Sequence, residues 1–252
     1  MRSTRVRVLA LFMGPGAAKG LSGGDRFALE VWSHWTRRSE CDLTVVTSLP
    51  GYLASQYFGY ELPAVPTRAG AQLGRLYGGY IARAIAATRY ALRYRPDIVF
   101  TGSAYFFDMV PALMLKLLQK GRVLVVPVFH FIPPPSRRRG SILVNILAWL
   151  EQQLMLRLVV SCADLVVTAS EDVAKGLSRL GLPRGKSLVT ALGIRGVRSV
   201  RGQPVHQEFD AISVGRFSHA KGTVELLEAW RLVSDRLPTA RLALVGRNTP
   251  GL

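Results

Sequence analysis

Two cations lie in one short segment in the C-terminal part of the sequence. Arg216 and Lys221 are five residues apart and follow Ala211–Val214, an apolar run that predicts a buried strand ending at Gly215. Arginine offers a planar fork of donors and lysine a point charge, and both suit phosphate oxygens. Open α/β sheets bind ligands at the carboxyl ends of their strands. The segment therefore predicts a phosphate-binding loop, and the alternative is a pair of solvated surface cations.

A pair of glycines, Gly23 and Gly24, stands between a strand-exit loop and the start of a predicted helix. Glycine lets backbone N–H groups approach a ligand closely, and a helix N-terminus favours anions. By themselves these residues are equally consistent with an anion-binding site and with two loop glycines that bind no ligand. His130 follows the predicted apolar strand Val123–Phe129. A histidine at such a position is more often a partly buried residue whose ring nitrogens bond to backbone groups than a ligand-binding residue.

Other segments resemble nucleotide or metal motifs without matching them. In Gly14–Gly20 the third glycine is one position late for a dinucleotide fingerprint, and Thr47 ends the second strand where an acidic ribose ligand is expected. Gly185–Ser187 follows a helix rather than the strand that a P-loop requires. The two cysteines and four scattered histidines have no metal-ligand spacing. We therefore expect no nicotinamide site, no P-loop and no metal site.

Short β-rich apolar runs alternate with longer helical stretches along the first 195 residues. Several strands are apolar at nearly every position, which is typical of a parallel sheet covered by helices on both faces. The alternation predicts a doubly wound, Rossmann-like α/β domain over residues 1–195. The predicted strands are Val6–Met13, Leu43–Thr47, Ile98–Thr101, Val123–Phe129, Leu165–Thr168 and Leu188–Ala191, and the predicted helices are Asp25–Arg38, Leu73–Arg93, Phe107–Leu118, Ile142–Val160 and Asp172–Leu180.

A second domain begins near the end of the sequence. Residues 196–208 are basic, contain glycine and lack apolar periodicity, so they predict a linker. Residues 209–252 restart the pattern with one strand, the helix Val224–Leu237 and the strand Leu242–Val245. Two strands and one crossover cannot cover both faces of their own sheet. We therefore expect an incomplete second domain in a truncated chain, and the alternative is that these residues dock on another surface.

The charge balance favours anionic partners. The sequence has 33 Lys and Arg against 16 Asp and Glu, which gives a formal net charge of +17. The arginines are dispersed and no nucleic-acid-binding motif occurs, so we expect no nucleic-acid partner. An anionic membrane surface is a second candidate, against the alternative of a solvated charged face. The residues that suggest it are Arg75, Arg83, Arg89, Arg93 and Arg95 with the tyrosines beside them, and Arg137–Arg139.

Residues 141–160 are apolar enough to suggest a membrane span, but Glu151 and Arg157 interrupt them. Each charge at the centre of a span costs roughly 2.5–3.5 kcal/mol. We interpret the segment as a largely buried helix of a soluble domain, and the alternative is a helix that lies on a membrane surface. We expect the protein in the cytoplasm, with peripheral contact on the inner face of the membrane.

Several segments together resemble the GT4-type glycosyltransferases, which are retaining enzymes of the two-domain GT-B fold. DAISVGRFSHAKGTVELLEAWRLVSDRLPTARLALVG resembles the start of their nucleotide-sugar domain, with its VGR, short loop, KG and LL-x-A helix. Upstream, SGGDRFALEV, RPDIVFTGS, VVPVFHF and CADLVVTASEDVAKGLSRLGLP resemble further segments of the family in the same order. The resemblance covers almost the whole chain.

The resemblance implies a hexose transfer from a nucleotide-sugar to a lipid-linked or saccharide acceptor in polysaccharide biosynthesis. Arg216 and Lys221 would hold the donor diphosphate next to Gly215. Gly23 and Gly24 would shape the floor of the cleft, and His130 would contact the donor sugar. Fixed cations stabilise a leaving phosphate, so the reaction would require no metal or other cofactor.

Two features depart from the family pattern. The Asn-Gly-x-Asp turn before the linker reads Leu192-Gly193-Ile194-Arg195 here. The paired glutamates of the donor domain, E-x7-E, would lie beyond residue 252, so we expect this chain to be inactive alone. The alternative function is a non-catalytic basic module that binds an acceptor or a membrane.

Overall fold

The computed structural model describes residues 5–14, 21–39, 41–69, 76–130, 142–190, 208–217 and 221–246. The chain divides into two compact units, Met1–Ile194 and Arg195–Leu252. Three segments named in the sequence analysis lie outside the described residues: Arg137–Arg139, Leu192–Arg195, and all of Gly14–Gly20 except Gly14.

Within the described part of the first unit, seven strands form one sheet in which every pair is parallel. Their order across the sheet is β3-β2-β1-β4-β5-β6-β7. The strands are β1 (Arg7–Phe12), β2 (Asp42–Ser48), β3 (Ala64–Thr67), β4 (Ile98–Thr101), β5 (Leu124–Phe129), β6 (Val166–Thr168) and β7 (Ser187–Val189).

Helices cover both faces of this sheet. Successive residues of β1 point to opposite sides, so Leu9 and Leu11 enter one core cluster while Val8 and Ala10 enter the other. The helices are α1 (Gly23–Arg38), α2 (Leu49–Tyr57), α3 (Leu76–Tyr94), α4 (Phe106–Leu118), α5 (Ile142–Cys162) and α6 (Glu171–Arg179), with a short 3₁₀ turn at Arg184–Lys186. Helix α1 packs in the Val8 cluster, and α3, α4, α5 and α6 pack in the Leu9 cluster. The predicted doubly wound α/β domain is confirmed.

Two elements were not predicted from the sequence. Helix α2 directly follows β2, and its start is marked by Ser48, whose side chain accepts a hydrogen bond from the Gly51 N–H at 3.1 Å, and by Pro50 in the first turn. Strand β3 is an edge strand containing Pro66, a residue that normally argues against a strand. Both elements are short, so apolar periodicity gives little signal for them.

The prediction that residues 141–160 form a largely buried helix is only half right. In α5 the side chains of Met155, Leu156 and Val159 are buried in the core, but Trp149 is 43% exposed and Leu154 is 54% exposed. Nearly every position of this helix is apolar, so the sequence gives no contrast between its inner and outer faces. None of the described helices combines the length and apolar composition needed to span a bilayer.

In the second unit, strands β8 (Ala211–Val214) and β9 (Leu242–Val245) pair in parallel and are joined through helix α7 (Thr223–Arg236). Burial alternates along β8, since Ile212 is 64% exposed and Val214 is 76% exposed while Ala211 and Ser213 are less so. One face of this strand pair therefore presents apolar side chains to solvent.

Candidate functional site

The candidate residues of the first unit gather at the carboxyl ends of the parallel strands. The order of the strands reverses between β1 and β4, because the chain leaves β1 toward α1 on one face and leaves β4 toward α4 on the other. In open α/β sheets ligands bind at this topological switch point. Gly24 at the start of α1 and His130 after β5 lie at this edge.

A capping box fixes the first turn of α1. The Asp25 N–H donates to the Ser22 hydroxyl at 3.2 Å, and the Ser22 N–H donates to the Asp25 carboxylate at 2.7 Å. Gly23 and Gly24 occupy the intervening positions, where backbone N–H groups have no partner within a helix. The box leaves these two donors at the positive end of a 16-residue helix, an arrangement that suits a bound anion.

The two glycines differ in what surrounds them. A Cβ on Gly24 would lie 2.5 Å from Cδ2 and from Nε2 of His130, whereas a Cβ on Gly23 would meet no atom within 4 Å. Phe27 packs edge-on against the same imidazole, with the ring centroids 5.9 Å apart. The structure thus brings Gly24 and His130 together, and the absence of a side chain at Gly24 makes room for the histidine ring.

Among the described residues, neither ring nitrogen of His130 has a hydrogen-bond partner, although both atoms are buried. Burial lowers the pKa of His130, and the carboxylate of Asp25 and the nearby Gly102 backbone oppose that shift more weakly. Burial therefore favours the neutral form of the ring, whose two nitrogens are a donor and an acceptor.

A buried polar cluster that the sequence analysis missed lies at the same edge. Asp108 is 1% exposed and accepts hydrogen bonds from the Met13 N–H at 2.8 Å and from the Ser103 hydroxyl at 2.5 Å. Arg83, also buried, donates to the Met13 carbonyl at 3.2 Å and lies over the Tyr80 ring. Burial raises the pKa of Asp108 to about 7. The available signal was an aspartate in the first turn of an otherwise apolar helix.

The remaining candidates lie in the second unit. The Gly215 N–H donates to the Val245 carbonyl at 2.9 Å, and a Cβ on Gly246 would overlap the Gly215 carbonyl oxygen. A Cβ on Gly215 itself would meet nothing, so Gly246 is the glycine that this turn requires. Arg216 and Lys221 are both exposed on the connection from β8 to α7, and Gly222, with a φ of 68°, begins the helix.

The site residues therefore fall into two groups, one in each unit: Gly23, Gly24 and His130 in the first, and Gly215, Arg216 and Lys221 in the second. Among the residues that the structure describes, no three His, Cys, Asp or Glu side chains are grouped so as to hold a metal ion.

Residues 21–195 match the family model described as Glycosyltransferase Family 4. No curated protein matches the chain significantly in sequence. Several solved structures share its fold at low sequence identity. Anabaena Alr3699/HepE in complex with UDP and glucose is 16% identical with a TM-score of 0.66, and the match covers 98% of this chain and 62% of that one.

Two further structures show the same likeness. S. aureus MnaA with UDP is 11% identical with a TM-score of 0.59, over 98% of this chain and 62% of that one. The lipopolysaccharide outer core galactosyltransferase WaaB in its apo form is 11% identical with a TM-score of 0.58, over 95% of this chain and 68% of that one. The chain thus spans about 62% of the length of HepE and of MnaA.

The contact between Gly24 and His130 predicts different effects of two neighbouring substitutions. Gly24→Ala should push the imidazole out of its buried position, cost roughly 1–3 kcal/mol of unfolding free energy and raise the pKa of His130 toward its ordinary value. Gly23→Ala is the matched control and should change the stability by less than about 0.5 kcal/mol. Urea unfolding and NMR titration of His130 measure both effects, and equal behaviour of the two variants would contradict the prediction.

The raised pKa of Asp108 predicts how stability depends on pH. The ordinary pKa of 3.8 rises to about 7 in the folded state, so the folded chain holds this proton more tightly and loses stability as the pH rises between these values. Asp25 adds to the cost of ionising Asp108, while hydrogen bonds from Ser103 and Met13 reduce it. The thermal stability of Asp108→Asn, measured relative to the unmodified protein, should therefore increase as the pH rises from 5 to 8.

Thermal unfolding at several pH values measures this difference. Ser103→Ala removes a hydrogen bond that favours the ionised carboxylate, so the loss of stability should continue to a higher pH than in the unmodified protein. A difference between Asp108→Asn and the unmodified protein that stays flat from pH 5 to pH 8 would refute the assignment.

Proposed function

The chain belongs to glycosyltransferase family 4, and from that premise we propose that the protein transfers a hexose from a UDP-sugar to a lipid-linked or saccharide acceptor with retention of anomeric configuration. The observation that carries the proposal is the pair of cations Arg216 and Lys221, which follow the carboxyl end of β8, in a chain whose first unit holds a buried histidine at the corresponding edge of its own sheet, with no hydrogen-bond partner among the described residues. The UDP bound to HepE and to MnaA supports uracil as the base of the donor.

Arg216 and Lys221 have the chemistry to stabilise the leaving group. Negative charge grows on the donor diphosphate as the glycosidic bond breaks, so cations fixed beside it favour the transition state over the ground state. Both side chains are exposed, and α7 begins directly after Lys221, so its positive N-terminal end adds to their effect. In this proposal the two cations supply the charge that a divalent metal supplies in other transferases, and no cofactor takes part.

His130 and the two glycines have the chemistry to hold a sugar. A neutral imidazole offers one N–H donor and one acceptor, and a sugar hydroxyl can pair with either. The N–H groups of Gly23 and Gly24 at the start of α1 offer two more donors for a hydroxyl or phosphate oxygen. In this proposal His130 contacts the donor sugar and the glycine N–H groups form the floor of the site.

Substitution of the two cations tests the catalytic proposal. The kinetic tests use a protein that carries the complete donor domain. In it, Arg216→Ala and Lys221→Ala should each lower kcat for release of UDP from a UDP-hexose by roughly 10²–10³-fold, the loss typical for removal of one fixed donor from a transition state. Arg231→Ala, an exposed cation on α7, is the matched control and should leave kcat unchanged.

UDP-glucose, UDP-galactose and UDP-N-acetylglucosamine are the donors to supply, with product release followed by coupled assay. Loss of activity in Arg231→Ala equal to that in Arg216→Ala would contradict specific phosphate binding. An unmodified protein that neither binds UDP by calorimetry nor turns over any of the three donors would favour the alternative of a non-catalytic binding module.

A second observation supports peripheral membrane contact. Helix α4 packs against both α3 and α5, and the three helices expose large apolar side chains on the side away from the sheet. We call this surface the outer helical face; it includes Ile81, Ile85, Leu117, Trp149, Leu150 and Leu154. Helix α1, on the opposite side of the sheet, exposes no large apolar side chain.

The charges on the outer helical face have one sign. Its exposed ionic side chains include Arg89, Arg93 and Arg157. The two carboxylates in these helices are withdrawn from solvent, because Asp108 is buried and Glu151 is half-buried and accepts a hydrogen bond from the Phe106 N–H at 3.3 Å. Apolar area combined with cations suits the surface of an anionic bilayer. Arg83, which the sequence analysis placed on the arginine surface of α3, is buried and does not belong to it. The proposal extends the rest of that surface to α4 and α5.

Vesicle sedimentation tests this surface. We expect binding to vesicles that contain phosphatidylglycerol, weaker binding to pure phosphatidylcholine, and loss of binding at high salt, because cations contribute to the attraction. Leu150→Glu should reduce binding severalfold, whereas His34→Glu on α1 adds the same charge on the opposite face and should not. Equal partitioning onto both lipid compositions, or equal effects of the two substitutions, would overturn the proposal.

A further inference from the structure

The backbone at the topological switch point needs partners that the sheet does not supply. The pairing of β1 with β4 ends at Leu11 and Thr101, and the Gly102 N–H still reaches the Leu11 carbonyl at 2.8 Å. Beyond that bond the two chains diverge toward opposite faces of the sheet. The next peptide groups, on either side of Met13, are buried at the point of divergence. A buried backbone donor or acceptor without a partner costs free energy comparable to a lost hydrogen bond.

Two side chains from the helices on one face fill this gap. Asp108 of α4 accepts the Met13 N–H, and Arg83 of α3 donates to the Met13 carbonyl. The second carboxylate oxygen of Asp108 accepts from Ser103, which follows Gly102 in the loop after β4. A single carboxylate therefore bridges the chain leaving β1 and the chain leaving β4.

Two buried polar side chains of this kind are not needed for stability alone. Taking polar or charged groups out of water is costly, and well-packed apolar residues of similar volume are often as stabilising. The neighbours of Asp108 along α4, Phe107 and Met109, are buried apolar residues, so the surroundings would accept such a replacement. The geometry points instead to the loops that the pair holds in place.

We propose that Asp108 and Arg83 are positioning residues, which hold Met13 from both ends and thereby fix the chain at the end of β1 relative to the loop after β4. The inference deepens the proposed function and rests on it for its kinetic consequence. Gly24 packs against His130 at the same edge of the sheet. Asp25 lies within electrostatic range of both Asp108 and His130, which places the three groups in one neighbourhood.

The central test compares Asp108→Leu with Asp108→Asn. The asparagine keeps an acceptor for Met13 and a polar group for Ser103, whereas the leucine keeps neither. We expect Asp108→Leu to lower kcat for UDP release from UDP-glucose at least about tenfold, because a small displacement of residues that position the substrate lowers the rate strongly. KM should stay within about twofold, because the diphosphate is held by other residues. Asp108→Asn should restore kcat.

Asp164→Leu is the matched control. Asp164 also accepts a backbone N–H, from Val125 at 2.8 Å, and it pairs with Lys116 of α4 at 2.7 Å, but it lies at the amino end of β5. This variant should lose stability without losing kcat. If kcat falls in Asp108→Leu and Asp164→Leu alike, in proportion to the lost stability, the positioning role is wrong.

Two measurements that need no catalytic turnover distinguish this inference from the proposed function. Amide hydrogen exchange at Met13 should accelerate about tenfold in Asp108→Leu, the effect of one lost charge-assisted hydrogen bond, and stay slow in Asp108→Asn and Asp164→Leu. The NMR resonances of His130 should shift in Asp108→Leu. An unmodified protein without turnover would refute the proposed function only, and these two measurements would then decide the inference.

Unchanged exchange at Met13 together with unchanged His130 resonances in Asp108→Leu would overturn the inference. If Asp108→Leu does not fold, Arg83→Met and Arg83→Lys replace it, since the lysine retains a cation that can reach the Met13 carbonyl. Faster exchange and lower kcat in the methionine variant, with recovery in the lysine variant, are then the expected results. Wild-type kcat in Arg83→Met would count against the role of Arg83.

Discussion

The first unit depends on how the backbone is satisfied where β1 and β4 part. Parallel strands supply each other's hydrogen bonds only as far as Leu11 and Thr101, and the chain must then leave toward opposite faces of the sheet. Every buried N–H and C=O beyond that point needs a partner from elsewhere. Asp108 and Arg83 supply those partners at Met13, and the Thr47 hydroxyl donates to the Phe12 carbonyl at 2.8 Å. The divergence of the two chains is therefore the reason these polar side chains are buried.

The candidate residues of the two units have opposite electrostatic character. At the edge of the first sheet, burial lowers the pKa of His130 and raises the pKa of Asp108, so both side chains favour their neutral forms. In the second unit the cationic side chains of Arg216 and Lys221 are exposed. A neutral, hydrogen-bonding surface suits sugar hydroxyls, and a cationic loop suits a diphosphate. A nucleotide-sugar combines both chemistries, which is why the proposed function uses both groups.

The two sides of the first unit expose different kinds of side chain to solvent. Helix α1 turns arginines and a histidine to solvent, whereas α3, α4 and α5 expose apolar side chains and cations together. Glu151 does not interrupt this surface because its carboxylate caps the start of α4 instead of facing solvent. Exposed cations therefore lie on both sides of the sheet, and the side that also carries apolar area is the one that fits a lipid surface.

The sequence by itself determined the α/β alternation, most element positions, the glycosyltransferase resemblance and the candidate residues at strand ends, because periodicity, capping and local motifs are properties of neighbouring residues. It did not determine why Gly24 is a glycine, that Gly246 rather than Gly215 is required in the second unit, or which face of α5 is exposed. It also missed Asp108, whose partner Met13 is 95 positions away along the chain. Only the tertiary structure decided these features, since the strand order brings distant residues together and burial then sets their charge.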